Sequence, residues 1–207
     1  MNAERAVRWN NNIHYHRLIL AVVPPGTQSA LDIGTGNGLL AAELHERVPD
    51  VTGIDHDAAV LKSAREEDRD VSWIHGDVLT YPFPLASFDV VTSVATIHHL
   101  PDLDQTLSRF AELTAPGGVV AVVGLARSSS LADYLYDVAG LVKQREYRRR
   151  YGIWEHSAPV LWPPPHTYRD VRRSAARVLP GARWTRLAMW RYAIVWHRPA
   201  SPESQAG

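Results

Sequence analysis

Between residues 30 and 125, short apolar runs alternate with amphipathic stretches, and that order leaves little choice of fold. Residues 30–33, 51–54, 71–74, 88–94 and 119–123 read as buried strands. The stretches 39–48, 58–67 and 103–113 between them read as helices. Asp57 stands where the second of these needs an N-cap, and Asp102 with Gln105 forms a capping-box pattern before the third. Strand–helix alternation of this kind predicts a parallel sheet with right-handed crossovers. A helix is expected over 5–21, ending before Pro24-Pro25-Gly26. Another is expected over 131–150, started by Ser130, with Leu131, Leu135, Val138 and Val142 on one face and Arg148, Arg149 and Arg150 at its end. After a Pro- and Trp-rich loop over 151–167, a helix over 168–179 precedes two strands, 182–189 and 191–197. These would close the sheet as a hairpin. The chain shows no repeat and no linker, so 1–199 reads as one domain: an N-terminal helical cap (1–26), a core (30–125) and a C-terminal portion (127–198). Residues 200–207 read as a disordered tail.

At 207 residues and 45% hydrophobic content the chain is long enough to bury a proper core. Its net charge is zero, so no global field draws in nucleic acid or acidic lipid. The average hides a split: residues 1–126 carry 8 Lys and Arg against 16 Asp and Glu, and 127–207 carry 14 against 6. Either the two surfaces pack on each other or the basic part serves an anionic partner. The absence of cysteine excludes disulfides and thiolate chemistry. The first residues mix charge, Asn and His without an apolar core for a signal peptide, and the longest apolar runs are too short to span a bilayer. A cytoplasmic protein with no membrane partner is expected. The sequence sets no oligomeric state.

The turn after the first strand carries Gly34, Gly36 and Gly38 at every second position, with Thr35 and Asn37 between them. Alternating glycines behind a strand mark a tight turn against which a ligand lies on bare main chain. The spacing is one residue shorter than the dinucleotide fingerprint, and Asp32 stands two residues before the loop. An acid there would repel a pyrophosphate but suits a ligand bearing an ammonium and a sulfonium. Asp32 can equally brace the turn.

This pattern resembles motif I of the class I S-adenosylmethionine-dependent methyltransferases, and the resemblance continues along the chain. Residues 51–55 are similar to the family's second strand, whose closing acid, here Asp55 followed by His56, takes the two ribose hydroxyls. Residues 75–78 are similar to the third-strand element, in which Asp77 would accept from the adenine amino group and the Val78 amide would serve a ring nitrogen. Residues 87–100 are similar to the fourth strand with its loop, Ser93 lying near the strand's end, and 113–118 to the turn before the fifth strand. The resemblance implies a Rossmann-like α/β three-layer sandwich, with a mostly parallel sheet and a C-terminal antiparallel hairpin, that binds S-adenosyl-L-methionine through Asp32, Gly34, Thr35, Gly36, Asn37, Gly38, Asp55, His56, Asp77, Val78 and Ser93. Thr35 stands where the family often has Cys.

In this family the acceptor site is built from the N-terminal segment, the loop after the fourth strand and insertions after the fifth. Here those segments carry Tyr15 and His16, then His98 and His99, then Trp154, Glu155 and His156. Tyr15 and His16 either cover the cofactor's amino-acid end or serve a structural helix. His99 matches a His often seen in the family's loop; it acts as general base, orients the acceptor, or packs structurally. His98, Trp154 and His156 are the substrate-side candidates, Trp154 and Trp162 as walls of an apolar pocket. Neighbouring His residues without a third ligand at convincing spacing make no metal site. Residues 156–165 resemble a stretch of small actinobacterial members of the family. The expected activity is methyl transfer to a small-molecule acceptor. An RNA methyltransferase using the basic third and a non-catalytic cofactor-binding protein remain alternatives. The end of the fourth strand lacks the Asn/Asp-Pro-Pro-aromatic pattern of base-amine methylation.

Overall fold

The computed structural model describes residues 8–154 and 161–200. Seven strands form one sheet in the order β3-β2-β1-β4-β5-β7-β6. They are β1 (Ser29–Ile33), β2 (Asp50–Asp55), β3 (Ser72–His75), β4 (Phe88–Val94), β5 (Thr114–Leu125), β6 (Arg183–Leu187) and β7 (Arg191–His197). The first five are parallel, and β7 runs antiparallel to both β5 and β6. The chain leaves β1 outward through β2 and β3, then returns to place β4 on the other flank of β1. The order therefore reverses between β1 and β4, and a crevice opens there above the carboxyl ends of the strands.

Helices α1 (His16–Leu20), α2 (Leu39–His45), α3 (Ala58–Glu67), α4 (Leu103–Leu113), α5 (Leu131–Tyr151) and α6 (Tyr168–Val178) flank the sheet. On one face Leu107, Phe110 and Leu113 of α4 and Val171 and Ala175 of α6 pack on Leu31, Val91 and Val120. On the other, Ile19, Leu40, Ala41 and Leu44 pack on Ala30, Val90 and Ala121. Successive residues of one strand thus feed opposite cores, which is why β1, β4 and β5 read as unbroken apolar runs. Asp57 and Asp102 cap α3 and α4, accepting from the amides of Ala59 and Gln105. Full capping boxes start α5 (Ser130, Asp133) and α6 (Thr167, Asp170).

Several sequence expectations are corrected. Residues 8–12 are not helical: the Asn10 side chain accepts from the amides of Asn12 and Ile13, and this turn delays the helix to Ile13–Tyr15 (a 3-10 turn) and α1. β3 is an edge strand with Ser72 and His75 exposed, not a buried one. The strand expected over 182–189 ends at Leu187, because Met189 and Trp190 adopt left-handed φ of 56° and 59°. α5 forms over the expected residues behind Ser130. Its Leu131, Leu135, Val138 and Val142 face is exposed; the helix instead packs through Gly140 against Met189, by stacking Tyr147 on Trp9, and through an Asp137–Arg186 ion pair of 2.6 Å. The tail at 201–207 lies outside the described residues. Among the described residues no helix is long and apolar enough to cross a membrane.

Candidate active site

A cleft of about 550 Å³ lies above the crevice between β1 and β4. The glycine turn forms its floor. Gly34, Gly36 and Gly38 all have positive φ (67°, 54° and 78°), a conformation that costs other residues. The three serve different ends. A Cβ at Gly34 would fall 2.1 Å from the Thr96 hydroxyl, so this glycine lets the loop after β4 close over the turn. A Cβ at Gly38 would strike Trp73 and Ala64, so that glycine serves packing at the start of α2 and does not line the cleft. A Cβ at Gly36 would meet no protein atom within 4 Å, yet Gly36 lines the cleft: its free space is space for a ligand.

Asp55 ends β2 beside this turn. Its Oδ2 accepts from the Gly36 amide at 2.9 Å and its Oδ1 from the Asp57 amide at 3.0 Å, which locks the carboxylate in place with lone pairs to spare. His56 follows, its Nδ1 3.5 Å from Asp55 Oδ1 and its ring mostly exposed. Asp77 opens the turn after β3, where its Oδ1 accepts from the Leu79 amide. Val78 is buried, and its carbonyl accepts from Arg109 Nε. Asp55, His56, Asp77 and Val78 all line the cleft, as do Thr35 and Asn37.

Asp32 also reaches the cleft, but its carboxylate is buried and each oxygen is already held by a hydroxyl. Thr35 Oγ1 donates to it at 2.7 Å and Thr92 Oγ1 at 2.9 Å. Burial raises its pKa, and the two hydroxyls oppose that rise. The turn is braced by this acid. Ser93 and Tyr15 are not brought to the cleft lining. Ser93 is fully buried and its hydroxyl donates to Ile33 O, tying β4 to β1. Tyr15 donates to Ala188 O at 2.8 Å, tying the N-terminal segment to the β6–β7 turn, and burial raises its pKa to about 12. His16, one residue on, does line the cleft, its Nδ1 3.1 Å from Glu43 Oε1.

The opposite wall comes from the loop after β4. Ala95 has φ of 55°, a strained value for a residue with a Cβ, and its amide is held by Val123 O. The 3-10 turn Ile97–His99 follows and sets His98 and His99 against the cleft with ring centroids 4.1 Å apart. His99 is exposed. Partial burial and His56 lower its pKa while Asp55 raises it. His98 is buried, and burial, then His99, Arg191 and His166, push its pKa down to about 3. Trp154 lines the cleft and its amide donates to Trp9 O; Trp162 does not line it and sits edge-on to Trp190. His156 and Glu155 lie outside the described residues. Among the described residues no group of three metal-ligating side chains exists.

Sequence reasoning missed Thr96 and Arg191, which also line the cleft. Arg191 was hidden among the many arginines of the last third. No local pattern distinguishes it from Arg183 or Arg186.

The comparisons agree with this geometry. The family model of the methyltransferase domain matches residues 31–122. A methyltransferase of Mycobacterium tuberculosis, described as uncharacterised, is 44% identical over 193 residues, covering 92% of this chain and 98% of the relative. Among solved structures, an amino pentose methyltransferase of Micromonospora echinaspora bound to S-adenosylmethionine aligns with a TM-score of 0.61 at 18% identity, over 90% of this chain and 89% of that one. The geranyl diphosphate C-methyltransferase of Streptomyces coelicolor, solved with Mg2+, geranyl diphosphate and S-adenosyl-L-homocysteine, aligns at 0.62 and 13% identity, over 90% and 77%. With the strand order, the glycine turn and the strand-end acid in place, the chain belongs to the class I S-adenosylmethionine-dependent methyltransferases.

Proposed function

We propose that the chain transfers the methyl group of S-adenosylmethionine to a small molecule held on the β4–β5 side of the same cleft. The observation that carries this reading is the cleft itself. One continuous space runs from the ribose-type acid Asp55 and the adenine-side Asp77 past the glycine turn to His98, His99, Trp154 and Arg191. Its volume is that of a small-ligand site. The two solved relatives named above are described by small acceptors, which accords with it.

The cofactor supplies an already activated methyl on a sulfonium. The protein then has to align the acceptor and keep water out. Gly36 leaves room for the ligand against the turn, and Asp55 takes the hydroxyl pair. Asp77 and Val78 border the base. Asp32 serves by holding Thr35 and the turn in shape. His16 belongs to the amino-acid end. On the acceptor side His99, exposed at the cleft and depressed in pKa, is neutral at physiological pH and orients the acceptor by hydrogen bonding. Trp154 gives an apolar wall.

The basic third does not favour RNA. Arg177 pairs with Asp104 of the acidic part, and Arg198 donates to the carbonyls of Ala111 and Thr114, so part of the positive excess is engaged inside the molecule.

The test begins with binding. S-adenosylhomocysteine at about 1 mM should raise the melting temperature and NAD should not. Radiolabelled cofactor with metabolite extracts should then yield a labelled small product. A folded protein whose melting is indifferent to S-adenosylhomocysteine sinks the reading; binding without any labelled product points to a non-catalytic role.

A further inference from the structure

Arg191 opens β7 directly opposite Leu125, the last residue of β5. It therefore stands at the carboxyl edge of the parallel strands. At about 4.8 Å per strand, β7 lies roughly 14 Å from β1 and its glycine turn. Arg191 is 7% exposed and lines the cleft. Its guanidinium donates to two neutral acceptors, Asn12 Oδ1 at 2.7 Å and Met189 O at 3.2 Å, and its Nε–H has no partner among the described residues. The groups that act on its charge are desolvation and the phenols of Tyr15 and Tyr168, both kept protonated by burial. Among the described residues no carboxylate pairs with it, whereas its neighbour Arg186 has Asp137. A buried cation without a counter-ion is expensive, and one that lines a cavity has its compensation in what enters the cavity.

His98 makes an independent second observation. It is 5% exposed, it lines the same cleft, and its Nδ1 has no partner among the described residues. Two residues that line one space thus each keep a buried nitrogen without a partner, one a permanent cation and one a neutral imidazole. The scaffold under them is strained and pinned. The turn after β6 puts Met189 and Trp190 at left-handed φ without a glycine. It is held by Tyr15 on Ala188 O, by Arg191 itself on Met189 O, and by Gly140 of α5, where a Cβ would come 3.0 Å from the Met189 amide. Strain kept in this way fits a pre-positioned ligand group.

We propose that Arg191, with His98 beside it, is the anion subsite of the acceptor pocket, and that the acceptor is a small molecule bearing a carboxylate. Arg191 is the one Lys or Arg among the described residues lining the cleft, which matches a monoanion better than a phosphate dianion. A planar guanidinium suits the two oxygens of a carboxylate. The inference rests on the methyltransferase reading above and gives its substrate class.

The test uses calorimetric titration of the full chain saturated with S-adenosylhomocysteine, with acetate, benzoate and inorganic phosphate as probes. It compares wild type, Arg191→Lys and Arg191→Met. At least one carboxylate should bind saturably and more tightly than phosphate. Binding should weaken at least about tenfold in Arg191→Met and less in Arg191→Lys. The affinity for S-adenosylhomocysteine should stay within about threefold in both variants, and without anion Arg191→Met should not melt well below wild type, because shedding an unpaired charge offsets the lost bonds to Asn12 Oδ1 and Met189 O. Four results overturn the proposal. Neither carboxylate binds the loaded wild type. Phosphate binds more tightly than both. Arg191→Met loses about tenfold in S-adenosylhomocysteine affinity, which would give the arginine to the cofactor's own carboxylate. Arg191→Met melts well below wild type and weakens both ligands together, which marks a purely structural arginine. Failure of S-adenosylhomocysteine to bind the wild type would instead remove the methyltransferase reading, and this inference with it.

Discussion

His98 should give the protein an acid-side stability limit whose size follows from its surroundings. It is 5% exposed, and burial, reinforced by His99, Arg191 and His166, lowers its pKa from 6.5 to about 3. The unfolded chain takes up a proton on this ring near pH 6.5, while the native state refuses it until close to pH 3. The stability that the neutral form contributes is therefore fully present above pH 6.5 and lost progressively as pH falls toward 3. By pH 5 the unfolded state has gained about 1.5 pH units of proton binding, or ~2 kcal/mol, wherever below pH 5 the native value lies. For a chain of this size that is a fall of about 4–8 °C in melting temperature. His98→Gln removes the proton and keeps a polar side chain of similar size. Because Nδ1 has no partner, no described hydrogen bond at that atom is lost. Urea unfolding of wild type and variant at pH 7.5 and pH 5, without ligand, isolates the effect, since the other titrating groups are shared. The variant should lose less stability than wild type by ~2 kcal/mol across that interval. A difference below about 0.5 kcal/mol would show that His98 protonates freely and is not sealed beneath the cleft.

Two further expectations concern the glycine turn. Gly36→Val should abolish S-adenosylhomocysteine binding in a thermal-shift assay while costing about 1–2 kcal/mol of stability, because Gly36 sits at φ 54° and its free space is the cleft; normal binding would place the cofactor elsewhere. Asp32→Asn should weaken cofactor binding yet raise the melting temperature of the unliganded protein. The native pKa of Asp32 is raised, so its ionisation carries a penalty that is absent below the unfolded value, grows as pH rises from there to the native value and is constant above it. Melting curves from pH 4 to 8 should show the variant's advantage increasing with pH, and a uniformly lower curve would mean that the Thr35 and Thr92 bonds outweigh desolvation.

The strand–helix order, the glycine turn, the acid at the end of β2 and the helix caps at Asp57, Asp102 and Ser130 were legible in the sequence. Each rests on residues a few positions apart, whose steric and hydrogen-bonding preferences act before any tertiary contact exists. Even there, roles divided only on folding: Gly34, Gly36 and Gly38 look alike in a row, but one meets Thr96, one Trp73 and Ala64, and one the cleft. The exposed face of α5, the loss of Ser93 and Tyr15 to structural bonds, and the arrival of Arg191 in the cleft were decided by contacts the local pattern does not encode. Tyr15 meets Ala188 across 173 residues, and Asn12 meets Arg191 across 179. Local sequence sets which residues share a strand or a helix face. Which of those faces is buried, and which of many arginines loses its solvent without gaining a carboxylate, depends on what the sheet order brings beside it.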